Sequence, residues 1–212
     1  MHKDFKHFKT VMVLNGHIPD KQFFLQLTGC YIVGVDGGAN RLLSLGIVPD
    51  LVVGDLDGID KGRLSQNHIP VVHLEDQNFT DFEKALEYVN AKRPGPILIL
   101  GMNGGEIDHI LNNIHVFIRY SSKFDLTFYD EHIPGQGKFG MCVSGKKNIA
   151  CGLDKNVSIF SFFNGKISSN GLCWELTDDK MYFLQRSGAR NRSKEPSIKL
   201  KSSKKSKLLV IA

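Results

Sequence analysis

The chain has 212 residues, 42% of them apolar and 23% charged, enough to bury a sizeable core and to exclude a disordered or low-complexity protein. No apolar run approaches the roughly 18 to 20 residues of a membrane-spanning helix, so no partnership with a membrane is expected. The charged start MHKDFKHFKT and the short VMVL after it lack a secretory core, which makes the cytoplasm the default location.

Short apolar runs recur along the first 131 residues: VMVLNG at 11, YIVGVDGG at 31, LVVGDLD at 51, VVHLE at 71, ILILGM at 97 and DLTFYD at 125. Segments long enough for helices separate them, at 20–28, 38–46, 59–68, 80–92 and 108–120. Continuous apolar strands alternating with helices predict a Rossmann-like α/β unit, an open and mostly parallel sheet with helices on both faces.

After residue 131 the pattern changes to Gly, Ser and Asn turns between short β-prone pieces, among them GMCVSG, NVSIFSFF, MYFLQRS and SIKLK. This predicts an antiparallel β-sandwich over 136–212, joined to the α/β unit 1–131 through EHIPGQGKFG. GMCVSGKK at 140–147 comes near a phosphate-binding loop, but Lys147 stands where a hydroxyl is needed and no helix pattern follows, so a β-hairpin is expected.

Residues 186–207 carry nine Lys or Arg and one Glu, which leaves the rest of the chain mildly acidic within a net charge of +5. Serines interleave these lysines and the segment closes on LLVIA, so it reads as solvated strands and a turn, with no nucleic-acid partner expected. Cys30, Cys142, Cys151 and Cys173 form no C-x-x-C pair, which suggests neither a zinc site nor a disulfide framework.

In open α/β sheets ligands bind outside the carboxyl ends of the strands. Polar residues gather there strand after strand: Asn15 and Gly16, then Asp36 with Gly37 and Gly38, then Asp55 and Asp57, then Asp76 and Gln77, then GMNGG at 101–105. Turn chemistry explains any one of these, whereas five at one edge point to a ligand crevice. Clustered aspartates repel phosphate, and Mg²⁺ resolves that conflict by taking carboxylates on one side and phosphate oxygens on the other. Glycine amides and helix N-termini supply further positive potential.

Thr80 and Glu83 stand at capping-box spacing at the start of a helix, with Asp81 and Lys84 off its apolar stripe. Asp108, Asn112, His115 and Arg119 form one polar line on the next.

Taken together, DGGANRL (36–42), PDLVVGDLDGI (49–59), DQNFTDFEKAL (76–86) and GMNGGEIDHILNNI (101–114) resemble the ordered motifs of the thiamine pyrophosphokinase family. GLCWELTDD (171–179) and RSGARNRS (186–193) are similar to its C-terminal thiamine-binding pieces.

The resemblance implies transfer of the pyrophosphoryl group of ATP to the hydroxyl of thiamine by a homodimer that needs Mg²⁺. It implies that Asp55, Asp57, Asp76 and Asp81 engage Mg²⁺–ATP or the substrate hydroxyl, with Asp55, Asp57 and Asp81 on the metal. Asp36, Gly37, Gln77, Thr80, Lys84, Gly104 and Asp108 then bind the nucleotide, and Trp174 and Asn191 bind thiamine.

Three positions depart from the pattern: Gly58 replaces a serine, Glu106 an arginine, and Arg190 a serine. Losing a cation at 106 and gaining one at 190 alters what the crevice neutralises. Two other readings stay open: a non-catalytic nucleotide or thiamine-phosphate binder of the same fold, and pyrophosphoryl transfer to another alcohol such as a pterin.

Overall fold

The computed structural model describes residues 5–212; the first four residues of the charged start lie outside that description. The chain divides into two units between Gly137 and Lys138, within the stretch EHIPGQGKFG.

The first unit is built on six strands: β1 Thr10–Val13, β2 Tyr31–Val35, β3 Leu51–Gly54, β4 Val71–His73, β5 Ile97–Leu100 and β6 Leu126–Asp130. All pair in parallel in the order β6-β5-β1-β2-β3-β4. β1, β3 and β5 are buried at every residue, so both faces of the sheet are covered. This is why their sequences are continuously apolar rather than alternating.

Between the strands lie α1 Lys21–Phe24, α2 Gly38–Ser44, α3 Lys61–Gln66, α4 Asp81–Lys92 and α5 Ile107–Tyr120. The Asp20 and Asp60 side chains cap α1 and α3, each accepting a hydrogen bond from a backbone N–H of the first turn. α2 packs on β1 and β2, α4 on β2 and β3, and α5 against α4. The chain builds outward from β1 to β4 on one side, then crosses back to place β5 on the other side of β1. The connections thus reverse between β1 and β5, the point where such sheets open a crevice.

The second unit is the expected antiparallel sandwich. One sheet runs β12-β9-β14-β7, with β7 Lys138–Val143, β9 Asn156–Ser161, β12 Gly188–Arg192 and β14 Leu208–Ile211. The other runs β11-β10-β13-β8, with β8 Lys146–Ala150, β10 Gly165–Asn170, β11 Asp179–Met181 and β13 Ser197–Lys201. Val157, Ile159 and Val210 of the first meet Ile149, Ile167 and Ile198 of the second in one core.

Two local expectations fail. The GMCVSGKK segment is no hairpin: β7 pairs with β14 and β8 with β13, so the chain crosses between sheets at Gly145, which takes φ +69°. The 202–203 turn holds that crossing, with Ser202 N–H donating to Gly145 O and Gly145 N–H to Ser203 O. MYFLQRS is not one strand either. After Met181 the chain turns on Tyr182, whose carbonyl accepts from both Gln185 and Arg186, and Phe183 and Leu184 are exposed at its tip.

The basic end reads as expected. β13 alternates buried Ile198 and Leu200 with exposed Lys199 and Lys201, and β14 is the buried closing strand.

Candidate active site

A cleft of about 740 Å³ opens at the carboxyl ends of the parallel strands. Its floor is backbone. At the end of β1 a Cβ on Gly16 would run into the carbonyl oxygens of Gly101 and Asn103, so only glycine lets the β1 and β5 loops touch. Gly16 N–H donates to Gly101 O at 3.0 Å, and Gly101, at φ +75°, presses on the Leu14 carbonyl.

The acidic wall comes from three successive elements. Asp36 follows β2, Asp55 follows β3, and Asp81 opens α4; each offers a carboxylate oxygen within 4.8 Å of the other two. Asp36 sits in the left-handed region at φ +42°, and its Oδ1 is buried without a hydrogen-bond partner among the described residues. Burial pushes its carboxyl above the ordinary value, and Asp81 and Asp55 push it further, against the backbone amides of Gly37 and Gly58. Three converging carboxylates with an orphaned buried oxygen are a donor set for a hard divalent cation, so the residues present fit Mg²⁺.

α4 is held rigidly at the end that carries Asp81. Thr80 caps it, with its Oγ1 accepting from Glu83 N–H and its own N–H donating to Glu83 Oε2 at 3.1 Å. Glu83 is buried and its other oxygen pairs with Arg119 of α5 at 2.8 Å. Lys84, its side chain only 7% exposed, reaches Asp81 at 2.8 Å and the Leu74 carbonyl at 2.9 Å, tying the β4–α4 loop to the helix.

Of the residues read from the sequence, Asp36, Asp55, Gln77, Thr80, Asp81, Lys84, Gly104 and Asp108 all line this cleft. Asp57 and Asp76 are exposed and are not among the lining residues. Leu56 separates Asp55 from Asp57 with φ +66°, and Asp57 N–H donates back to Asp55 Oδ1 at 3.2 Å. Asp76 accepts from the main-chain and side-chain nitrogens of Asn78 as a turn former. Gly37 shapes the wall: a Cβ there would strike the Asn15 amide. Of the polar line on α5, Asp108 and Asn112 reach the cleft, while Arg119 serves Glu83. His109 also lines the cleft. The sequence reading passed over Arg41, although it stands one turn into the helix that begins at Gly38 and so on the side of that helix's first residues.

In the sandwich unit Trp174 is 64% exposed, and the loop beneath it is locked. Asn191, buried, accepts from Trp174 N–H at 3.2 Å and donates to Trp174 O at 2.7 Å. Glu175 accepts from Ser169 Oγ, Gly171 N–H and Leu172 N–H and pairs with Lys194 at 2.9 Å. Burial alone would raise the Glu175 carboxyl, but these hydrogen bonds outweigh it and hold it low. An indole standing free on a fixed loop is a preorganised stacking surface.

Residues 26–128 match the family model described as thiamin pyrophosphokinase, catalytic domain. The chain is 35% identical over 91 residues to thiamine pyrophosphokinase of Bacillus subtilis, covering 41% of this chain and 42% of that one. It is 31% identical over 137 residues to thiamine pyrophosphokinase 1 of Oryza sativa, covering 53% and 52%. The chain thus spans about half the length of these two relatives. The fold is similar over nearly its whole length to the crystal structure of thiamine pyrophosphokinase from Bacillus subtilis, with a TM-score of 0.79, 20% identity, and coverage of 96% of this chain and 99% of that one. The motifs at the strand ends, the match over residues 26–128 and the similar two-unit fold agree: the chain is similar to thiamin pyrophosphokinases, and the family's catalytic-domain model matches about half of it.

Proposed function

We propose that the protein is a thiamine diphosphokinase, which moves the pyrophosphoryl group of ATP onto the thiamine hydroxyl and releases AMP. The observation that carries this reading is the convergence of Asp36, Asp55 and Asp81 beside a glycine floor at the β1/β5 switch point, in a chain whose residues 26–128 match the thiamin pyrophosphokinase catalytic domain. Asp36, Asp55 and Asp81 would hold Mg²⁺, which supplies charge neutralisation to the polyphosphate.

The protein's own groups do the rest. The thiamine oxygen attacks the β-phosphorus, the bond from that phosphorus to the α,β-bridging oxygen breaks, and the hydroxyl proton passes to a cleft carboxylate or to water. The transfer needs positioning and charge stabilisation rather than a covalent intermediate. The Gly101–Gly105 loop lets the polyphosphate approach main chain, Gln77 and Thr80 offer polar contacts beside it, and Lys84 steadies Asp81. Asp57 and Asp76, exposed at the rim, are the remaining acidic positions of the resemblance and are proposed to meet Mg²⁺–ATP as it enters.

Trp174 stacks on the flat, cationic thiamine, and Asn191 contributes by fixing the Trp174 backbone. The reading extends to a cytoplasmic homodimer with thiamine held where the subunits meet.

Incubation with ATP, MgCl₂ and thiamine, followed by chromatographic separation, should yield AMP and thiamine diphosphate in equal amounts. Absence of AMP under those conditions would refute the activity.

A further inference from the structure

Four carboxylates line the cleft, those of Asp36, Asp55, Asp81 and Asp108, and among the described residues only two Lys or Arg side chains do so, Arg41 and Lys84. A polyphosphate entering this space meets an excess of like charge. Lys84 offers little relief, because its ammonium is buried and already shared between Asp81 and the Leu74 carbonyl. The β5–α5 loop and the first turn of α5 bring Glu106 and Asp108 and no Lys or Arg.

Arg41 is placed differently. A Cβ on Gly38 would overlap the Val13 carbonyl, so glycine lets α2 press against the end of β1. From α2 the Arg41 Nε donates to both the main-chain and the side-chain oxygen of Asn15, each at 3.2 Å. These bonds fix one edge of the guanidinium. Its two terminal nitrogens have no hydrogen-bond or ion-pair partner among the described residues, and the side chain is solvent-accessible within the cleft. A guanidinium held by Nε with both terminal nitrogens unspent is a fork suited to two oxygens of one phosphate.

We propose that Arg41 is a further catalytic residue, the cleft's uncommitted cation, which grips the phosphate chain of ATP bidentately and offsets the charge that Lys84 and Glu106 leave unbalanced. This rests on the reading above only in requiring polyphosphate in the cleft; it does not depend on which alcohol accepts the group.

The test titrates inorganic pyrophosphate with MgCl₂ into wild type, Arg41→Gln, Arg41→Lys and Arg41→Gln/Glu106→Arg by calorimetry, with steady-state kinetics for ATP and thiamine alongside. Arg41→Gln is expected to weaken pyrophosphate binding and to lower kcat/KM for ATP by on the order of 10- to 100-fold, with KM for thiamine within about 3-fold. Arg41→Lys should recover only part of this, because an ammonium cannot fork, and Glu106→Arg should restore part of the pyrophosphate affinity lost in Arg41→Gln.

Unchanged pyrophosphate affinity in Arg41→Gln, or in Arg41→Lys should the glutamine variant not fold, overturns the proposal even if the wild type makes thiamine diphosphate. A wild type inert towards thiamine whose pyrophosphate binding still collapses in Arg41→Gln supports Arg41 and retires the acceptor.

Discussion

Replacing Asp36 with Asn should make the metal-free protein more stable and at the same time abolish its response to Mg²⁺. Three carboxylate oxygens, one each from Asp36, Asp55 and Asp81, lie within 4.8 Å of one another, and Asp36 Oδ1 is buried with no hydrogen-bond partner among the described residues. At that separation and an effective dielectric of about 20, each like-charge pair costs about 3.5 kcal/mol before screening. Water reaches the half-buried site and reduces this substantially, so we take about 1 kcal/mol for removing one charge. In a chain of this size that corresponds to a rise in Tm of about 3 °C. Asn tolerates the left-handed backbone at φ +42° as well as Asp does, so no strain offsets the gain.

The sign with pH follows from the raised folded-state pKa, whose first cause is burial. Between the ordinary aspartate value and the raised one, the folded protein holds the proton more tightly than the unfolded chain. The charged carboxylate therefore costs stability fully above the raised value, and the cost disappears as the pH falls to the ordinary one. The Asn advantage should thus be largest at neutral pH and fade in mild acid. Scanning calorimetry in EDTA, with and without excess MgCl₂, reads both effects. A variant less stable than wild type in EDTA, or one with an undiminished Mg²⁺ response, would refute the account of the acidic wall.

Glu83→Ala removes the capping-box carboxylate and leaves Arg119 without its buried partner, and should cost about 2 kcal/mol, or roughly 5 °C in Tm; Arg119→Met, which leaves the cap intact, should cost about half, and equal losses would show that the cap contributes nothing. Trp174→Ala should raise KM for thiamine far more than KM for ATP, and thiamine should quench the single tryptophan's fluorescence saturably; an unchanged signal at saturating thiamine with turnover intact returns Trp174 to a structural role. Neutralising Lys201, Lys204 and Lys205 together should leave thiamine turnover within about 3-fold, because β13 and β14 use their apolar residues to close the sandwich; collapse of turnover in a folded variant would put these lysines in the site.

The parallel half was legible because burial on both faces forces unbroken apolar runs, and the polar residues that end each run then mark one edge of the sheet. That logic located Asp36, Asp55, Gln77 and Gly104 in one cleft. It did not resolve which carboxylates meet. Asp55 and Asp57 are equally acidic and two apart, and the left-handed turn at Leu56 between them is a backbone choice that a leucine does not advertise. Arg41 was hidden for a different reason: its setting depends on Gly38 drawing α2 onto β1, a tertiary contact no local pattern records. The sandwich was coarser from sequence because most of its strands bury only one or two residues. β8, with Ile149 its one buried residue, carries almost no hydrophobic signal, so the sheet crossing at Gly145 looked like a hairpin.

The position of β1 between β2 and β5 also sets the order in which the first unit becomes safe from aggregation during synthesis. β1 leaves the ribosome before the other five strands of its unit, yet one of its edges has no partner until Ile97–Leu100 emerges. Until then the nascent chain presents an apolar strand with open backbone donors and acceptors, the form most prone to pair with other chains. Fragments ending before residue 97 should therefore be insoluble even though they carry all three wall aspartates, whereas fragments that extend through β6 have the means to close the sheet.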